Sequence, residues 1–163
     1  MATELHNLSS YDPASVPPGK GKRIGIVVSE WNYSVTGNLL RGAYDTLLKF
    51  GVESDDIIVE HVPGSFELTY GAKLLIEQSN LDSVIILGCV IQGETPHFTF
   101  VCESVTQGCT ALNLQQNIPV VFGLLTTNTL DQAKARSGGR HGNKGDEAAI
   151  TALKMIALQS KYK

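Results

Sequence analysis

Residues 90–98 read VIQGETPHF and follow the apolar run SVIILGC. His97 is the residue in this stretch whose side chain titrates near neutrality and could carry a proton. Thr95 has the type of a helix N-cap, and Pro96 that of a first helical residue. The spacing therefore predicts His97 in the first turn of a helix. There the positive end of the helix dipole disfavours imidazolium and leaves the ring able to accept a proton. His97 also lies about 100° around the helix from Phe98, just off the apolar stripe. A packed core histidine is the competing reading. Gly93, Glu94 and Thr95 offer successive backbone N–H groups at the same helix start, an arrangement suited to an anion.

Other residues with chemical potential fall at similar places. SEWN (29–32) ends an apolar run and carries Trp31 between Glu30 and Asn32, so the indole is either a core aromatic or a flat partner for a ring. VPGSFE (62–67) ends in Glu67, in a first helical turn where the dipole alone would stabilise an acid. Arg136 and Lys144 sit in AKARSGGRHGNKGDEAA. In that stretch Asn143 has the type of an N-cap with Asp146 three residues on, which is capping without any ligand. GKGK (19–22) precedes a strand and is not a phosphate loop of the Walker type. SVTGN (34–38) echoes a flavodoxin phosphate loop but starts about five residues after the strand end.

The elements that must position these residues alternate along the chain. RIGIVV (23–28), DIIVEHV (56–62), SVIILGCVI (83–91) and IPVVFGLL (118–125) read as strands. Between them, Leu39, Leu40, Ala43, Leu47 and Leu48 form a helical stripe closed by Gly51. Leu68, Ala72, Leu75 and Ile76 form a second, and Phe98, Val101, Cys102, Val105, Cys109 and Leu112 a third. A short helix near 129–136 and a longer one over 144–160 complete the chain. This is an α/β pattern: a four-stranded parallel sheet between two helical layers, with flavodoxin-like topology. The first, third and fourth strands are apolar throughout, as expected when both faces are covered. Open sheets of this kind bind ligands beyond the carboxyl ends of their strands. Those ends are where SEWN, VPGSFE, VIQGETPHF and FGLLTTNT fall.

The totals narrow the function classes. A chain of 163 residues suits one domain, here 23–163, preceded by an extended arm over 1–22 with Pro13, Pro17, Pro18, Gly19 and Gly21. Net charge is −3, with 42% hydrophobic and 18% charged residues, so no field favours nucleic acid or an anionic membrane. No apolar run reaches the ~20 residues that span a bilayer, and the first residues lack a signal-peptide core. The three cysteines have no paired spacing and the four histidines no metal-ligand spacing. A cytoplasmic chain with reduced thiols and no metal is expected.

With those residues in hand, the chain resembles the lumazine synthase family from about residue 22 to 160. The likeness rests on SEWN, VPGSFEL, GCVIQGETPHF and FGLLTTNTLDQAKARSGGRHGNKGDEAA, in that order. It departs from the family in Trp31, where phenylalanine is more usual, in Thr69 for proline, and in Lys134-Ala135 before Arg136. The resemblance implies a transferase of riboflavin biosynthesis that needs no metal or coenzyme. It would condense 5-amino-6-(D-ribitylamino)uracil with 3,4-dihydroxy-2-butanone 4-phosphate to 6,7-dimethyl-8-ribityllumazine, phosphate and water. Carried over by motif, Trp31 stacks on the pyrimidine. Ser65, Phe66 and Glu67 hold the ribityl chain, and the backbone of Val90 and Ile91 meets the ring edge. Gly93, Glu94 and Thr95 cradle the phosphate with Arg136, His97 moves protons, and Lys144 lies nearby. Phe122 comes from the neighbouring subunit of a pentamer. The short join at 137–142 lacks the insertion that accompanies isolated pentamers, so a homo-oligomer of pentamers closing as an icosahedral 60-mer is expected, with riboflavin synthase as a candidate partner. The alternatives are a flavodoxin-like flavin carrier using SVTGN and Trp31, and a non-catalytic shell protein.

Overall fold

The computed structural model describes residues 7–162. Strand β1 is Ile24–Ser29 and helix α1 Tyr33–Lys49; β2 is Ile57–Val62 and α2 Leu68–Gln78. Strand β3 is Ser83–Ile91, α3 is His97–Gln115 and β4 is Val120–Thr127. Helix α4 is Leu130–Ala135, a small hairpin joins β5 Ser137–Gly139 to β6 Gly142–Asn143, and α5 is Lys144–Ser160. The strands β2-β1-β3-β4 form one sheet, in that order and all parallel.

Burial explains the pattern. Every residue of β1 is buried, as is β3 up to Cys89, because helices cover both faces. On one side α1 and α5 pack Leu39, Ala43, Leu47, Ala149, Leu153 and Ile156 against Ile26, Val28, Ile85 and Leu87. On the other, α2 and α3 pack Leu68, Ala72, Leu75, Val105 and Leu112 against Val27, Val84 and Ile86. Side chains alternate across a strand, so neighbouring residues serve opposite layers. Each fully buried Leu or Ile contributes about 1.5–3 kcal/mol. The edge strand β2 is the polar one, with Glu60 and His61 exposed.

Three details differ from the sequence expectation. Helix α3 starts at His97, with Pro96 already in a helical conformation and no side-chain cap. The Pro96 carbonyl accepts from the Thr99 N–H at 2.9 Å, so the first turn is closed by backbone and the Thr95 hydroxyl is not its cap. Strand β4 begins at Val120, after Pro119, which has no N–H to offer, and runs to Thr127. The join before α5 is a hairpin, with Gly138 and Gly142 at positive φ.

The described part of the arm packs on its own chain. Leu8 and Val16 are buried. The Leu8 N–H donates to the His141 carbonyl at 2.8 Å, and the Gly19 N–H to the Phe50 carbonyl at 2.7 Å. His6 and the start of the arm lie outside the described residues.

Candidate active site

From β1 the chain turns outward to β2, and from β2 it crosses back to β3. The strand order therefore reverses between β1 and β3, the place where an open α/β sheet leaves a crevice. The two strands pair only as far as Val28 and Leu87, while β3 continues against β4 to Ile91 and Thr127. They thus diverge into a fork. The start of α1 sits in that fork. The Thr36 hydroxyl donates to the Ser29 carbonyl at 2.7 Å, and the Asn32 side-chain amide donates to the Cys89 carbonyl at 3.0 Å.

A cleft of about 600 Å³ opens at the fork. Trp31 stands on one side, 73% exposed, and is no core aromatic. Its backbone N–H donates to the Pro63 carbonyl at 3.1 Å and that of Glu30 to the Val62 carbonyl at 2.8 Å, which ties the β1 end to the β2 end. After β2 a 3-10 turn, Ser65–Glu67, leads straight into α2. Ser65 is buried against Gly88, where a Cβ would press on its hydroxyl; Phe66 and Glu67 are exposed toward the cleft. The Glu67 carboxylate has no ion pair or hydrogen bond among the described residues.

Backbone direction decides what β3 can offer. The N–H groups of Val84 and Gln92 donate to the Pro119 and Thr127 carbonyls of the β4 side. Peptide groups alternate sides along a strand, so Val90 faces β4, while Cys89 and Ile91 face the side that β1 has left. The N–H and C=O of Ile91 are the ones that open on the cleft. Beyond it Gly93, Glu94 and Thr95 are exposed, and their N–H groups have no acceptor among the described residues. Gly93, Thr95 and His97 line the cleft; Glu94 does not. His97 is exposed at the first position of α3.

Other expected residues lie elsewhere. Phe122 and Lys144 line a separate depression of about 300 Å³ between β4 and α5. The Lys144 ammonium pairs with Glu147 at 2.7 Å. Arg136 borders neither depression. Its guanidinium donates to the Gln132 carbonyl at 3.1 Å, and its own carbonyl accepts from the Lys144 N–H at 2.9 Å. One chain therefore does not bring Arg136 against Gly93–Thr95.

The thiols are poor nucleophiles. Burial pushes Cys89, at the cleft floor, up to about 11, and also raises Cys102 and Cys109. Among the described residues no three His, Cys, Asp or Glu side chains gather as a metal site. Sequence reasoning missed Asn32, whose φ of 60° is the only positive value at a non-glycine described residue. An Asn at a strand-to-helix junction, tolerant of left-handed backbone, was the available signal.

A parallel sheet in the order β2-β1-β3-β4, covered on both faces, defines a flavodoxin-like α/β protein, and its cleft lies where that class takes small molecules. Residues 21–160 match the family model described as 6,7-dimethyl-8-ribityllumazine synthase. The chain is 59% identical to the 6,7-dimethyl-8-ribityllumazine synthase of Porphyromonas gingivalis, over 98% of this chain and 99% of that one. It is 60% identical to that of Parabacteroides distasonis, over 96% and 98% respectively. The chain belongs to the 6,7-dimethyl-8-ribityllumazine synthase family. The flavin-carrier alternative loses its phosphate loop, because SVTGN lies inside α1 with Val35 and Thr36 buried.

Proposed function

We propose that the chain condenses 5-amino-6-(D-ribitylamino)uracil with 3,4-dihydroxy-2-butanone 4-phosphate, giving 6,7-dimethyl-8-ribityllumazine, phosphate and water. The observation that carries this reading is the cleft at the β1/β3 fork in a chain of this family. It offers an aromatic wall, an open peptide edge, and a carboxylate and a row of N–H groups that have no partner among the described residues. Trp31 stacks on the pyrimidine, and the Ile91 peptide reads its edge. Ser65, Phe66 and Glu67 hold the ribityl chain, with Glu67 accepting from its hydroxyls. The N–H groups of Gly93–Thr95 bind the phosphate.

The pyrimidine amine adds to the ketone, and water leaves as the Schiff base forms. Loss of a carbon-bound proton then expels phosphate. The ribityl-bearing nitrogen attacks the resulting carbonyl, and a second water leaves as the ring closes. His97 accepts and returns the protons. Holding two reactants in register supplies most of the acceleration, on the order of 7–11 kcal/mol in well-oriented systems. A placed base adds roughly 10²–10⁴-fold.

The site is shared between copies in a pentamer. Support comes from Phe122, Arg136 and Lys144, which do not line the cleft of their own chain. The short hairpin before α5, without an insertion, supports closure of pentamers into a shell. The proposed compartment is the cytoplasm, where unpaired thiols stay reduced; no described helix is long and apolar enough to cross a membrane. Mixing the chain with both substrates and following the fluorescent lumazine tests the reading. The flavin-carrier alternative predicts a yellow protein and no product.

A further inference from the structure

Asn32 occupies the helix-capping position of α1 but does not cap it. Its side chain accepts no hydrogen bond from the first turn. Its carbonyl accepts instead from the N–H groups of Val35 at 2.8 Å and Thr36 at 3.1 Å. The side-chain amide is spent across the fork, on the carbonyl of Cys89, 57 residues away in sequence. That carbonyl faces the side where β1 would have continued, so a strand N–H would have met it had the pairing run on past Leu87. An unmet buried carbonyl costs about 1–3 kcal/mol. Asn32 thus replaces the missing strand partner.

The backbone of Asn32 has a second consequence. With φ 60° and ψ 40° it is left-handed, a conformation that Asn accepts more readily than most residues. A left-handed residue between β1 and α1 reverses the chain sharply. Trp31, immediately before that reversal, stands beside the cleft, exposed, instead of entering the core. The Trp31 backbone N–H is held by the Pro63 carbonyl on one side, and the Asn32 side-chain amide by the Cys89 carbonyl on the other. The aromatic wall is thereby fixed relative to Cys89, two residues before Ile91.

We propose that Asn32 is a positioning residue for the pyrimidine. Its amide bridges the fork to the Cys89 carbonyl, and its left-handed backbone sets the Trp31 indole over the cleft at a fixed distance from the Ile91 peptide. This rests on the reading of Trp31 as the stacking partner. Asn32 touches no reacting atom in this assignment.

Trp31 is the only tryptophan, so its fluorescence reports the turn without any substrate. Asn32→Gly keeps the left-handed backbone accessible and removes the amide. Asn32→Asp keeps the shape and sets a carboxylate oxygen against the Cys89 carbonyl. We expect both to melt cooperatively and to lower the steady-state anisotropy of Trp31 in the ligand-free chain. The KM for the pyrimidine should rise about tenfold or more, with that for the phosphate-bearing substrate changed less than twofold. Unchanged anisotropy in Asn32→Gly, or equal rises in both KM values, would overturn the assignment. If Asn32→Asp does not assemble, the glycine variant alone decides. Lower anisotropy in the variants, with no turnover even by the unmodified chain, would support the bridge and reject the proposed reaction.

Discussion

His97 and Cys89 lie at one cleft and have opposite prospects as reactive groups. His97 is exposed at the start of α3 and held by no other side chain among the described residues. His97→Ala should slow turnover by roughly 10²-fold while leaving the melting temperature near that of the unmodified chain. Steady-state rates beside a thermal melt check this, and full activity in the variant would remove His97 from the chemistry. Cys89 is buried, and its pKa is raised to about 11, so the folded chain holds its proton more tightly than the unfolded one. The resulting stability is fully present below the unfolded value near 9 and is lost as pH rises toward 11. Alkylation followed by mass spectrometry at pH 8 should leave Cys89 unlabelled until the chain unfolds. Rapid labelling would show an open cleft floor.

At the scale of elements, α1 and α5 approach more closely than side chains would allow. Gly145, in the first turn of α5, lies against the Leu39 carbonyl of α1, and a Cβ there would collide with it. Gly145→Ala should therefore destabilise by about 1–3 kcal/mol despite alanine's better helix propensity. Chemical denaturation would show a lowered midpoint, and a raised one would mean that the helices can part. Much at this scale was legible beforehand. The apolar runs of β1 and β3 and the stripe Leu39, Ala43, Leu47 announced strands and a helix because burial on both faces or on one leaves that period in the sequence. The sequence places the start of α3 too early because Thr95 and Pro96 have capping types, while in the structure the helix begins at His97 and the Pro96 carbonyl closes its first turn. Trp31, Ser65–Glu67 and His97 stand out in the sequence because they follow the carboxyl ends of strands, where an open α/β sheet binds its ligand. Asn32 does not, since its partner Cys89 is distant in sequence and only the divergence of β1 from β3 creates the need for it.

At the scale of the whole molecule, one chain carries a cleft without Arg136, Phe122 or Lys144, and the proposed pentamer supplies them from a neighbour. Native mass measurement should give multiples of five copies; a monomer with full activity would contradict the shared site. Arg136→Ala should raise the KM of the phosphate-bearing substrate far more than that of the pyrimidine, because a guanidinium binds phosphate through charge-assisted, often bidentate bonds. Equal losses for both would assign Arg136 to assembly. The proposed reaction joins a ribitylaminopyrimidine to a phosphorylated ketone in this cleft without metal or coenzyme. The most direct measurement mixes the purified, chelator-treated chain with both substrates and follows lumazine and inorganic phosphate together. Both should appear, in equal amounts, faster than in the protein-free mixture. A natively folded, assembled chain that leaves the spontaneous rate unchanged would contradict the proposed reaction.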